Sequence, residues 1–292
     1  MHPAGGSSLF GFPGAIARAS QNPLRLAGAA AFARGARRRL RELAPFDRAV
    51  AHWMVPCAWP LLARTEVPLD VVVHGADARL LLRAPSAARG AIVASLLDRG
   101  ARFQLVAAHL LEELATSLPG SLARRFHEAS RVEPAPIDVP DVDDAAATLR
   151  ASLELRDDER LVVCVGRFVA GKRFDLAVTA ATSITPAARL VLVGDGPERA
   201  RLEALCSSHG ARAIVTGVLP RLDALAWIAA ADVLLHPSAD EGAPTVVREA
   251  RALGTPVVAC AAGDLVRWAQ LDPGIVIAEP DARAIAEALL RT

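Results

Sequence analysis

From residue 161 onward, short apolar runs and longer amphipathic stretches alternate along the chain. The runs at 161–165, 190–193, 213–216, 233–236, 256–259 and 274–277 have the length and aliphatic content of buried strands. The stretches between and after them, 174–183, 197–209, 222–230, 244–253, 264–270 and 281–290, read as helices. Apolar strands separated by helices predict a parallel sheet covered on both faces, a Rossmann-like domain. Such sheets bind ligands at the carboxyl ends of their strands. The first half is less regular: a basic helix over 24–43, strands over 49–53, 69–74 and 103–107, and a helix over 109–117. Residues 1–14 are rich in Gly and Pro and are expected to be irregular. The Pro-rich span 133–140, followed by acidic residues, reads as an interdomain linker and divides the chain into domains 1–138 and 139–292.

Composition narrows the function classes. A chain of 292 residues with 52% hydrophobic content has ample material for two cores, and its net charge of +1 gives no bulk attraction to nucleic acid. The four cysteines show no C-x-x-C spacing, and Cys164 and Cys260 fall inside strand-like runs, so buried reduced thiols are expected. The seven histidines show no metal-ligand spacing. No apolar stretch reaches membrane-spanning length and the N-terminus lacks the order of a signal peptide, so a cytoplasmic placement is expected. The basic residues are nearly all arginine, which points to a GC-rich genome; Lys172 is the lone lysine.

Candidate chemistry gathers at the predicted strand ends. Glu241 precedes the helix 244–253, Pro244 suits its first position, and Glu249 lies about a turn and a half inside it. Between the two carboxylates lie the free N–H groups of the first turn, which attract anions. Two acceptors flanking an anion site suit a ligand with vicinal hydroxyls at both ends and phosphate in the middle, such as a nucleotide sugar. The plain alternative is a common strand–helix unit with two glutamates spaced by chance. Arg167 and Lys172, on the loop after 161–165, could clamp a diphosphate, or they could form a solvated basic loop. Gly166-x-x-x-x-Gly171-Lys172 nearly matches a P-loop, but Arg173 stands where a hydroxyl should hold a metal, so that reading is rejected. Gly194-Asp195-Gly196-Pro197-Glu198 permits a ligand close to the backbone, or is simply a helix entry. His74 ends the strand 69–74 before Gly75 and either reaches into a cleft or is structural; His52-Trp53 ends a weaker strand.

Taken in order, these phrases resemble the retaining family 4 glycosyltransferases, which have the GT-B architecture of two Rossmann-like domains facing a cleft. Val72-Val73-His74-Gly75-Ala76-Asp77 is similar to the family's H-G-S-D stretch, and Glu133-Pro134-Ala135-Pro136-Ile137-Asp138 sits where its I-P-N-G-V-D-like linker is expected. Then follow Val165-Gly166-Arg167 with Lys172-Arg173, Val193-Gly194-Asp195-Gly196-Pro197-Glu198, Gly217-Val218-Leu219, and Glu241-Gly242-Ala243-Pro244-Thr245 with Glu249-Ala250, the E-x7-E pattern. The resemblance covers roughly residue 46 to the C-terminus.

The resemblance implies a retaining hexosyltransferase-type enzyme of bacterial polysaccharide biosynthesis. It would move a sugar from a nucleotide-sugar donor to a glycan, lipid-linked or small-molecule acceptor. Arg167 and Lys172 would hold the diphosphate, and Gly196 would admit the donor to its turn. Val218 and Leu219 would meet the base, and Glu249 the ribose. Glu241 with Gly242, Ala243, Pro244 and Thr245 would bind the transferred sugar, and His74 would act at the reacting carbon. No metal or other cofactor is implied, since the cations serve in its place, and no nucleic-acid partner. The family's opening strand and Gly-rich turn are matched only faintly by Pro3-Ala4-Gly5-Gly6, and its last helices by nothing here. The resemblance therefore implies an N-terminal domain incomplete in this chain and a shortened C-terminal end. Two alternatives stay open: a non-catalytic nucleotide-sugar-binding fragment and a GT-B-type nucleotide-sugar epimerase. The arginines of 24–43, interleaved with Leu24, Leu26, Phe32, Leu40 and Leu43, suit peripheral contact with the inner face of an anionic membrane; the alternative is an ordinary solvated face.

Overall fold

Two wholly parallel sheets form where the apolar runs stand, in a computed structural model that describes residues 25–62, 66–184 and 188–292. The expectations for residues 1–14 and for the faint Gly-rich turn at Pro3-Ala4-Gly5-Gly6 lie outside the described residues, as do those resting on Leu24 and on the side chains of Leu26 and Phe32. The chain divides into two compact units between Ala135 and Pro136.

In the first unit, helix α1 (Arg25–Leu43) precedes strands β1 (Ala49–His52), β2 (Leu69–Val73), β3 (Arg102–Leu105) and β4 (Ser130–Val132), which pair in that order. Their connections carry α2 (Ala76–Leu82), α3 (Ser86–Asp98), α4 (Ala108–Thr116) and α5 (Gly120–Glu128). Every residue of β2 is buried, as a central strand requires. Helices α2, α3 and α5 and strand β4 go beyond the sequence expectation. For α3 the reason is physical. Its buried residues are Arg89, Val93 and Leu96, so a basic side chain interrupts the apolar stripe. Buried Arg89 donates to the carbonyls of Leu82, Ala84 and Ser117, each at 3.0 Å, at and just beyond the ends of α2 and α4. Helix ends leave such acceptors without intrahelical partners.

In the second unit, six strands pair in the order β10-β9-β8-β5-β6-β7: β5 (Leu161–Val165), β6 (Arg189–Val193), β7 (Ala213–Gly217), β8 (Val233–His236), β9 (Val257–Cys260) and β10 (Ile275–Ala278). The strands expected from the apolar runs all form, with ends moved by a residue at most. Helix α6 (Asp143–Ser152) enters the unit, and α7 (Phe174–Ser183), α8 (Arg199–Ser208), α9 (Arg221–Ala230), α10 (Thr245–Ala252), α11 (Leu265–Leu271) and α12 (Ala282–Arg291) follow the strands in turn. Helices α7, α8 and α12 share one apolar core with the sheet, built around Ala177, Val178, Leu202 and Ile285. The other face is covered by α9, α10 and α11 through Leu225, Val247 and Leu265, and by α6 through Ala146. Of the cysteines, Cys164, Cys206 and Cys260 are buried and all four are unpaired.

This topology fixes where a ligand can sit. The chain starts at β5, winds outward through β6 and β7, and returns to place β8 on the other side of β5. Helix α7 therefore leaves β5 toward one face and α10 leaves β8 toward the other. Diverging loops at such a reversal open a crevice at the carboxyl edge of the sheet.

Candidate functional site

The two loops that diverge at the reversal are stitched together. Beyond β5, Phe168 and Phe174 pack edge to face with ring centroids 5.6 Å apart, and both are almost fully buried. They pin the loop between them, which carries a short 3-10 turn at Ala170–Lys172. Arg173 sits in the left-handed region, with φ 48°, and its Nε donates to the carbonyl of Pro237 at 2.9 Å. In return the Ala239 N–H donates to the Gly171 carbonyl at 2.9 Å. These bonds bring together two of the residues singled out from sequence: the Lys172 ammonium donates to Oε1 of Glu241.

A third group meets the same oxygen. His236, the last residue of β8, is 1% exposed, and its Nε2 lies 2.9 Å from Glu241 Oε1. Burial pushes the Glu241 carboxyl up, but the hydrogen bond from His236 and the charge and hydrogen bond of Lys172 outweigh it and hold the carboxyl below the usual carboxylate range. Burial lowers the pKa of His236 against the pull of Glu241, so the ring is neutral at pH 7 and Nε2–H is the donor to the carboxylate. The site thus holds one ionised carboxylate between an ammonium and a neutral imidazole. Its sequence signal was a histidine closing an otherwise apolar strand, at the end where ligands bind.

Helix α10 begins just beyond. Pro244 is its N-cap and not its first helical residue, because the helical turn starts at Thr245; no side chain caps this end. Gly242 and Ala243 are half-buried, Pro244 is buried and Thr245 exposed, so the segment leads from the Glu241 carboxylate to the open N–H groups of α10. Glu249 lies on the same helix with its side chain 13% exposed, held by Arg221 at 2.9 Å. Arg221 starts α9, and its guanidinium also donates to the carbonyl of Asp138. Sequence reading gave Arg221 no role.

The glycines after β6 have a use within the fold itself. A Cβ on Gly194 would lie 1.9 Å from the carbonyl oxygen of Gly166, and one on Gly196 would lie 2.3 Å from that of Phe168. The loop after β5 approaches the backbone here, and this alone requires glycine at Gly196. Arg167 is exposed on that same loop. Val218 is 74% exposed just beyond β7, while Leu219 is half-buried against the core that contains Trp227.

In the first unit, His74 follows β2 and stands beside His52 at the end of β1, the two strands being parallel neighbours. The rings are stacked with centroids 5.1 Å apart, and His52 Nδ1 lies 2.9 Å from His74 Nε2. Fully buried Asp77 accepts from the backbone N–H of His74 at 2.8 Å and of Met54 at 2.7 Å, which fixes the turn. Burial lowers the pKa of His74, partly offset by Asp77, and the neighbouring His52 lowers it further. Among the described residues no group of three or more His, Cys, Asp or Glu could hold a metal ion.

Residues 146–292 match the family model described as glycosyl transferases group 1. A Bacillus subtilis (strain 168) protein assigned as a teichuronic acid biosynthesis glycosyltransferase, TuaC, is 31% identical over 258 residues, covering 86% of this chain and 62% of that protein. The structure of sucrose-phosphate synthase from Thermosynechococcus elongatus superposes with TM-score 0.65 and 25% identity, over 87% of this chain and 66% of that one. Anabaena HepE, solved in complex with UDP-glucose, superposes with TM-score 0.67 and 18% identity, over 90% of this chain and 71% of that one. The shared α/β architecture is the GT-B fold. The chain thus spans less than two thirds of the length of the Bacillus relative.

Proposed function

The chain belongs to the glycosyl transferases group 1 family, and from that membership we propose that it moves a sugar from a nucleotide-sugar donor to an acceptor with retention at the anomeric carbon. The observation that carries this reading is the meeting of Lys172 with Glu241 at the β5–β8 reversal, just ahead of the helix α10 that carries Glu249. Lys172 and Arg167 take the diphosphate and stabilise the charge that grows on it as the glycosidic bond breaks, without need of a metal. Glu241, with the backbone of Gly242–Thr245, takes hydroxyls of the transferred sugar. Glu249, steadied by Arg221, accepts from the ribose hydroxyls, and the exposed backbone at Val218 and Leu219 meets the base. His74 acts from the first unit on the sugar or the acceptor. The UDP-glucose in the Anabaena structure supports a nucleotide sugar as the ligand.

Glu249→Ala is expected to weaken nucleoside diphosphate binding by about 1–3 kcal/mol, the range for losing a hydrogen bond to a charged group. Titration calorimetry of the full chain with UDP, GDP and ADP reads this directly. An unchanged affinity would remove Glu249 from the donor site. Binding of the nucleotide sugar without release of sugar to any acceptor or to water would instead favour the non-catalytic reading.

The acceptor is a glycan, a lipid-linked sugar or a small molecule, and α1 supplies peripheral contact with an anionic bilayer. Arg34, Arg37, Arg38, Arg39 and Arg41 are exposed on it, although Arg38 and Arg39 share Glu42 at 2.9 and 3.0 Å. No described helix is long and apolar enough to cross a membrane. Sedimentation with anionic liposomes is expected, lost at high salt and in an Arg37/Arg38/Arg39→Gln variant. Equal recovery with neutral and anionic liposomes would discard the membrane contact.

A further inference from the structure

His236 is not one of the motif residues, yet it shares an oxygen with the site's principal ion pair. Lys172 and His236 both meet Oε1 of Glu241, but they are held very differently. Lys172 ends a flexible stem on a loop, with its side chain 20% exposed; the His236 side chain is 2% exposed at the end of a central strand. A diphosphate entering the crevice draws the ammonium, and the carboxylate then keeps only the partner that cannot follow. We infer that His236 is the positioning residue of Glu241, holding its carboxylate in place on the sugar hydroxyls while Lys172 carries its charge from Glu241 to the donor diphosphate. This rests on the donor-site reading above and gives it a sequence of contacts: the closed Lys172–Glu241 pair without donor, and the His236–Glu241 pair with donor bound.

The electrostatics agree with the geometry. Lys172 and His236 are the charged and titratable groups that act on Glu241, and Lys172 and Glu241 those that act on His236. Burial works against the ionised carboxylate, and the His236 hydrogen bond is the largest influence opposing it. Without His236, and with Lys172 on the phosphate, the carboxyl pKa therefore rises. A carboxylate with a raised pKa loses its charge earlier as pH falls, so sugar recognition should fail on the acid side.

The test is calorimetry of the full chain between pH 5 and 8 with UDP, GDP and ADP and with their glucose conjugates. The quantity read is the affinity for the glucose conjugate divided by that for the matching nucleotide. In His236→Leu the nucleotide affinity should stay within about twofold, while this ratio falls at least tenfold at pH 5 and less at pH 8. His236→Gln, which offers an amide N–H where Nε2–H stood, should bring the ratio back to within about threefold of the parent at both pH values. An unchanged ratio in His236→Leu would overturn the proposal, as would failure of His236→Gln to rescue. Equal loss of both affinities would make His236 a packing residue only. A parent chain that binds none of these ligands would overturn the donor-site reading itself, and the proposal with it.

Discussion

Lys172→Ala is expected to lower donor turnover roughly 100- to 1,000-fold, the cost of removing one preorganised group that stabilises developing negative charge, or about 3–4 kcal/mol. The chain holds no second lysine, and the loop that presents this one is locked by the Arg173–Pro237 and Ala239–Gly171 bonds, so no neighbouring ammonium can substitute. Nucleoside diphosphate affinity should fall as well, by about 10- to 100-fold, as for a lost charged hydrogen bond. Lys172→Arg should not restore the rate, since a planar guanidinium fork places its charge differently from a compact ammonium. Steady-state release of nucleoside diphosphate from UDP-glucose, GDP-glucose and ADP-glucose checks the rate, and calorimetry the affinity. Turnover within threefold of the parent would take Lys172 out of the diphosphate site and leave its pair with Glu241 as structural.

Gly194→Ala is expected to cost the second unit roughly 3 kcal/mol or more. The new methyl would stand 1.9 Å from a backbone oxygen, at a φ of 140° that side chains rarely adopt. The oxygen belongs to Gly166 at the end of β5, so neither loop can yield without moving the strand ends that carry the site. Gly196→Ala should behave similarly, with Phe168 backbone atoms at 2.3, 2.7 and 2.8 Å. Gly171→Ala is the control: nothing lies within 4 Å of its Cβ position, and its stability should change by less than about 0.5 kcal/mol. Urea unfolding of the three variants separates them. A Gly194→Ala protein as stable as the Gly171→Ala protein would mean the two loops do not touch as described.

The elements of the second unit were legible because their pattern is local. A central strand buried on both faces is apolar at nearly every position, and six short, largely apolar runs with helices between them left little freedom in fold class. The E-x7-E spacing likewise announced Glu241 and Glu249, since both positions are set by one helix start. The first unit was harder for the same reason in reverse: α3 turns Arg89 inward to satisfy carbonyls at other helix ends, and a stripe containing an arginine does not read as a core face.

What the sequence by itself determined, then, is which residues form the strands of the second unit and which of them end at the carboxyl edge of its sheet. Tertiary structure alone decided who meets whom there. Lys172 and Glu241 are 69 residues apart, and only the return of the chain to the far side of β5 makes them neighbours. His236 meets Glu241 from only five residues earlier, across the loop after β8, while Arg221 reaches Glu249 from a separate helix, 28 residues earlier in the chain. Gly194 and Gly196 are glycines because another loop passes over them, a fact with no trace in their own neighbourhood. Periodicity reports on a residue's surroundings within a turn or two of chain, whereas strand order is chosen by the packing of the whole sheet, and the chemistry of this site is built from strand order.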